Sequence, residues 1–249
     1  MKKLIIANWK MNPCTAKEAV SLARVVEKGT KNVARKVDIV FAPSFPFLPL
    51  VASHSSLKLG AQDVFWEPEG AYTGEVSVAQ LKSLGVKYVI IGHSERRAMW
   101  ETNDIVQKKL RAALMSGMRA VFCVGELEHK KETAFPPLVR EELHNGLRGI
   151  KKPLFRNLII VYEPVWAVGT GKPALPKDAF EINILIRREL LNIIGKKYAA
   201  KIPILYGGSV DDKNAALFVK DGRMDGLLVG GASLSANKFI KIIKNIGAI

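Results

Sequence analysis

Tyr162-Glu163-Pro164-Val165-Trp166 runs directly into Ala167-Val168-Gly169-Thr170-Gly171-Lys172. A carboxylate therefore closes the apolar run Leu158-Ile159-Ile160-Val161, and a glycine-bearing segment with the makeup of a lid follows it. Pro164 and Trp166 stiffen the entry to that segment, its glycines permit unusual φ values and close backbone approach, and Lys172 marks the exit. A single acid beside a mobile cover suits proton transfer in a site closed off from water.

Other groups with chemical potential also stand at the ends of apolar runs. They are Asn8 and Lys10, Gln62, His93, Cys123, Gly207-Gly208-Ser209 and Gly230-Gly231-Ala232-Ser233. His93, alone, reads as readily as a structural histidine; ending a strand opposite a base, it reads as catalytic. Lys10 is either a solvated loop lysine or a fixed charge that stabilises an oxyanion. Each glycine pair is on its own a tight turn. Two of them at adjacent strand ends offer backbone N–H groups, and Ser209 a hydroxyl, to a phosphate. Cys123 reads as a packed thiol in a supporting position, and Glu95 and Arg96 as supporting ion-pair or hydrogen-bonding residues.

The elements that must position these groups recur from end to end. Apolar runs occupy residues 4–9, 37–42, 57–62, 88–92, 120–125, 158–163, 203–207 and 226–230. They are rich in Ile, Val and Leu and hardly alternate, as strands buried on both faces should be. Helical stripes lie between them: Val106, Leu110 and Ala113; Ala179, Ile182, Ile186 and Leu190; Phe239, Ile242, Ile243 and Ile246. Thr15, Ser77, Thr102 and Ser235 are candidate N-caps. Eight strands alternating with helices in 249 residues is the arithmetic of an α/β fold of the (β/α)8 barrel type, with residues 1–249 as a single domain. A doubly wound open sheet is the alternative, but it usually needs fewer strands, and no G-x-G-x-x-G follows the first one. In a barrel, ligands meet the C-terminal strand ends, and the short list above then converges on one rim.

Composition narrows the class. Hydrophobic residues at 48% with 24% charged are those of a globular protein, no apolar run reaches membrane-span length, and a cytoplasmic location is the expectation. Cys14 and Cys123 make neither a disulfide framework nor a C-x-x-C pair. His54, His129 and His144 lack metal-ligand spacing, so no metal is expected. The formal charge of +15 could attract an anionic substrate or nucleic acid. Its Lys and Arg residues are scattered, without RNA-binding aromatic motifs or zinc-finger spacing, which favours steering of a phosphorylated small molecule over nucleic acid.

Taken together, the motifs closely resemble the triosephosphate isomerase family. The matching stretches are Asn8-Trp9-Lys10-Met11-Asn12, Gly60-Ala61-Gln62-Asp63, Gly70-Ala71-Tyr72-Thr73-Gly74-Glu75, Ile91-Gly92-His93-Ser94-Glu95-Arg96-Arg97, and residues 162–172, 206–210 and 225–234. The resemblance implies a TIM barrel that interconverts dihydroxyacetone phosphate and D-glyceraldehyde 3-phosphate without metal or organic cofactor. It implies Glu163 as the base, neutral His93 as the group that polarises the carbonyl and moves protons between oxygens, Lys10 as charge stabiliser, and Asn8 as an orienting residue. Gly169, Gly230 and Gly231, with Ser209, would hold the phosphate, and Glu95 would support Lys10. The resemblance further implies a homodimer in which the loop from Gln62 to Glu75 inserts beside the partner's copy of residues 8–11, with Thr73 reaching towards the partner's site.

The chain departs from the family pattern at three places. Val168 stands where isoleucine is usual at the lid tip. Lys172-Pro173-Ala174-Leu175 alters the exit hinge, with Leu175 in place of a Ser/Thr cap. Residues 127–137 have lost much of the pattern and carry Pro136-Pro137. The expectation is near-normal chemistry with altered lid motion.

Overall fold

Strands buried on both faces build the centre of the protein. The structure, a computed structural model, describes residues 2–128, 135–167 and 174–249. The strands are β1 (Lys3–Asn8), β2 (Val37–Ala42), β3 (Lys58–Ala61), β4 (Tyr88–Ile91), β5 (Arg119–Glu126), β6 (Leu158–Pro164), β7 (Ile204–Tyr206) and β8 (Gly226–Val229). All pair in parallel in chain order, and β1 also pairs with β8, Leu4 opposite Gly226 and Ala7 opposite Val229, which closes the barrel. The chain is thus a single-domain (β/α)8 barrel.

Side chains along each strand alternate between two apolar clusters. Leu4 and Ile6 point into the barrel with Val40, Ile90, Val161 and Leu228. Ile5 and Ala7 point outward against the helices. Because both faces are dry, the strands read as continuous hydrophobic runs and do not alternate in polarity.

The helices are α1 (Ala16–Thr30), α2 (Leu48–His54), α3 (Val78–Ser83), α4 (Ser94–Met99), α5 (Asn103–Met115), α6 (Pro137–Leu147), α7 (Pro176–Ile194), α8 (Lys196–Ala199), α9 (Ala215–Lys220) and α10 (Ala236–Gly247). The three stripes expected from the sequence are their buried faces on α5, α7 and α10. Thr15 and Ser77 form capping boxes with Glu18 and Gln80, and Thr102 accepts from the Ile105 N–H. Ser235 is a correction: it precedes α10 in extended conformation, but its side chain makes no capping bond. The exit-hinge residue Leu175 likewise supplies no side-chain cap, and the Asp178 carboxylate accepts its N–H at 3.1 Å instead.

A buried ion cluster sets the position of α4 and α5. Lys109 of α5 binds Asp63 at 2.7 Å and also Glu101, and Arg96 of α4 reaches Asp63 at 2.7 Å and Glu101 at 2.6 Å. Each charge is compensated, so the cluster fixes geometry without leaving an uncompensated buried charge. Among the described residues no helix is long and apolar enough to cross a membrane.

Candidate active site

At the end of β1, Asn8 is buried and Lys10 adopts a φ of 53°, a left-handed conformation that lysine rarely takes. Its surroundings over-determine it. The Lys10 N–H donates to Asn8 Oδ1 at 3.1 Å, and the Gln62 amide donates to Lys10 O and to Ala42 O, both at 2.8 Å. The strained backbone brings the ammonium inward, where it meets Glu95 Oε1 at 2.5 Å.

His93 follows β4 and occupies the N-cap of α4. Its Nδ1 accepts the Glu95 N–H at 3.2 Å. An N–H can only donate, so Nδ1 carries no proton and the ring proton resides on Nε2. That nitrogen lies 3.2 Å from Oε1 of Glu163. The other oxygen, Oε2, accepts the Ser94 N–H at 2.8 Å. Glu163 is thus held by the Ser94 N–H with the His93 ring beside it, at 2% exposure. Cys123, inside the barrel, is fully buried; burial, and then the neighbouring Glu163 charge, push its thiol well up, so it stays a neutral group beside the base.

Gly125 of β5 is the register partner of Glu163. A Cβ at this position would meet Glu163 O at 2.2 Å, so only glycine permits the approach. The following residue, Glu126, accepts from Tyr162 Oη at 2.6 Å and from Trp166 Nε1 at 3.1 Å, both on Oε1. One carboxylate oxygen thereby anchors both sides of the Glu163-Pro164-Val165 stretch.

The two glycine turns flank a cavity of about 350 Å³ lined by Asn8, Lys10, His93, Ser209, Gly230 and Gly231 among others. Its floor carries an ammonium and an imidazole, and its rim presents backbone, a composition suited to a small anion with a polar head. Ser209 Oγ donates to Ala167 O at 2.6 Å, tying this turn to the last described residue before the lid. Glu163 lines a neighbouring cavity of about 380 Å³ with Ser94, Arg97, Gly125 and Glu142. Glu163 therefore borders this rear cavity and is absent from the lining of the one that holds Lys10 and His93.

The structure therefore brings Asn8, Lys10, His93, Glu95, Cys123, Glu163, Ser209, Gly230 and Gly231 to one rim. Gly169, Val168 and Pro173 lie outside the described residues, and so does the expectation about lid motion; His129 does too. Glu163 is paired with the His93 ring and the Ser94 N–H, not with an arginine. Sequence reasoning missed Glu126, which ties Tyr162 to Trp166, and the Arg97–Glu142 pair near Glu163. The signal for Glu126 was its place at the end of β5, one residue beyond the apolar run. Glu142 carried none, because a glutamate on a helix ordinarily faces water.

The sequence matches the family described as triosephosphate isomerase over residues 3–246. Relatives of the same name include those of Carboxydothermus hydrogenoformans, 44% identical, and Dictyoglomus turgidum, 42% identical. The alignments cover 98% of this chain in both cases, and 98% and 99% of the respective relatives. That of Treponema denticola is 45% identical over 97% of this chain and 98% of its own length.

Proposed function

Since the chain belongs to the triosephosphate isomerase family and interconverts dihydroxyacetone phosphate and D-glyceraldehyde 3-phosphate, a step of glycolysis, we propose the following roles for its residues. The phosphate docks on the backbone N–H groups of Gly230 and Gly231, assisted by Ser209 and Gly169. The three carbons then lie over Lys10, Asn8 and His93. Glu163 removes a proton from the carbon beside the carbonyl, and the electron pair left behind moves onto the carbonyl oxygen as the enediolate forms. The Nε2–H of His93 and the Lys10 ammonium stabilise that oxygen, and Asn8 orients it. His93 then moves a proton between the two oxygens, and Glu163 returns its proton to the adjacent carbon. Atoms and charge balance without any cofactor. Glu95 and Cys123 support Lys10 and Glu163 respectively.

The observation that carries this assignment is the 3.2 Å contact between His93 Nε2 and Glu163 Oε1, at the junction of the two cavities. A proton donor for oxygen and a proton acceptor for carbon then stand side by side at the edge of one small substrate. A coupled assay with dihydroxyacetone phosphate tests it: Glu163→Gln should abolish turnover while leaving phosphate binding intact. Undiminished turnover in that variant would refute the assignment.

Residues 1–249 act as one catalytic domain in this reading, and the working unit is a homodimer. Met11 is 91% exposed and Tyr72 44% exposed, next to the site loop and on the 62–75 loop, large apolar groups that a second copy would cover. Light scattering on the purified protein checks this. We propose the cytoplasm as the compartment of this work, where the charge of triose phosphates keeps them from crossing the membrane.

A further inference from the structure

Three buried acids take no part in the scheme above: Asp63 and Glu101, which belong to the ion cluster of α4 and α5, and Glu142. Glu142 sits on the inner face of α6 at 4% exposure. Its Oε2 accepts the Gly125 N–H at 2.8 Å, and its Oε1 lies 3.3 Å from Arg97 Nε. Gly125 is the residue against whose backbone Glu163 is seated, so Glu142 grips the seat of the base. Both carboxylates line the same rear cavity, and Arg97 is the one cationic side chain among its described lining residues. Arg97 is itself fixed, with Nε donating to Gly92 O at 2.8 Å and Nη1 to Asn103 Oδ1 at 2.7 Å. Its Nη2 is buried and has no hydrogen-bond partner among the described residues.

We propose that Glu142 is a positioning residue for Glu163, whose negative charge neutralises Arg97 and drives the base out of the rear cavity towards the substrate. When Glu142 is protonated, the Arg97 charge is uncompensated and holds the Glu163 carboxylate back. When it is ionised, Arg97 is neutralised and two like charges share one cavity, which favours the pose of Glu163 that leaves it.

Glu142 is placed to change charge in the working range. Burial raises its pKa to about 7, against the lowering effects of Arg97 and the Gly125 N–H, and with a further upward push from Glu163 and Glu141. The charged and titratable groups facing it are Arg97 from α4, Glu163 from β6, the neutral Cys123 thiol from β5, and Glu141 on its own helix. Glu141 is bound to Asn103 Nδ2 at 3.1 Å. Glu101, also on the cavity wall, is tied to Arg96 and Lys109.

The inference rests on Glu163 being the base, and the test separates the two. Isomerase kcat and KM are measured from about pH 5.5 to about pH 8.5 for the wild type, Glu142→Gln and Glu163→Gln. The amide is isosteric and keeps an acceptor for the Gly125 N–H. Wild-type kcat should rise about tenfold through an ionisation near 7, while Glu142→Gln stays at the low-pH value throughout, with KM little changed. A Glu142→Gln profile that superimposes on the wild type, with Glu163→Gln inactive, overturns this inference alone. Turnover at wild-type level in Glu163→Gln overturns both readings. Carbon NMR of side-chain-labelled glutamate in the wild type provides a measurement independent of the variant's folding. The resonance of Glu142 should titrate near 7, and titration in the ordinary carboxylate range overturns the proposal.

Discussion

His93 Nε2 and Glu163 Oε1 face each other 3.2 Å apart. The nitrogen that would give a proton to a substrate oxygen thus stands beside the carboxylate that would take one from carbon. A substrate oxygen that takes the Nε2 proton must therefore enter beside Glu163, whose other oxygen accepts the Ser94 N–H. His93→Ala removes the oxygen-facing donor and leaves the base. It should lower kcat by about 10²–10⁴-fold, with a smaller change in KM, in steady-state assays.

Lys10 and Glu95 separate charge from its support. Lys10→Met deletes the ammonium facing the developing oxyanion and should reduce kcat/KM by about 10²–10³-fold. Glu95→Gln keeps the ammonium but removes the partner at 2.5 Å, and the reduction should be no more than about tenfold. Comparable losses in the two variants would show that the pair acts as a unit.

Gly230 presses on Lys10. A Cβ at Gly230 would lie 3.2 Å from Lys10 Cε, so Gly230→Ala must displace the lysine stem at the mouth of the phosphate turn. The expected outcome is a KM raised about tenfold and a smaller fall in kcat, with unchanged circular dichroism.

Glu142 also leaves a signature in stability. Its folded pKa of about 7 is above the ordinary 4.5, so between those values the folded protein keeps a proton that the unfolded chain has lost. Stability contributed by this group is therefore full below about 4.5 and is lost as pH rises towards 7. The gap corresponds to about 3 kcal/mol. Denaturant melts of the wild type and Glu142→Gln should show the variant gaining on the wild type by up to about this amount between pH 4.5 and pH 8. A pH-independent difference would show that the carboxyl titrates normally.

Sequence made the barrel legible because both faces of its strands are dry, which turns each into an unbroken apolar run. The strand ends then nominated Asn8, Lys10, His93 and Glu163, since a polar residue closing such a run must sit at the rim. What could not be read were contacts made by ordinary-looking residues across elements. Gln62 stood on the rim list, yet nothing in its neighbours says that its amide spans Lys10 and Ala42. Glu126 stands one residue beyond an apolar run, and nothing in the sequence says that it holds Tyr162 and Trp166. Ser235 shows the converse error: the right residue type before a helix, with the side chain unused.

The closure of β1 on β8 carries a consequence for synthesis. Among the strands of the barrel, the one that delivers Asn8 leaves the ribosome first and the one that delivers Gly230 leaves it last. With the roles proposed above, a nascent chain holds Lys10 and His93 long before it holds the Gly230 turn that would grip a phosphate. The growing polypeptide therefore stays catalytically silent until its final strand docks beside its first, and activity switches on together with completion of the fold.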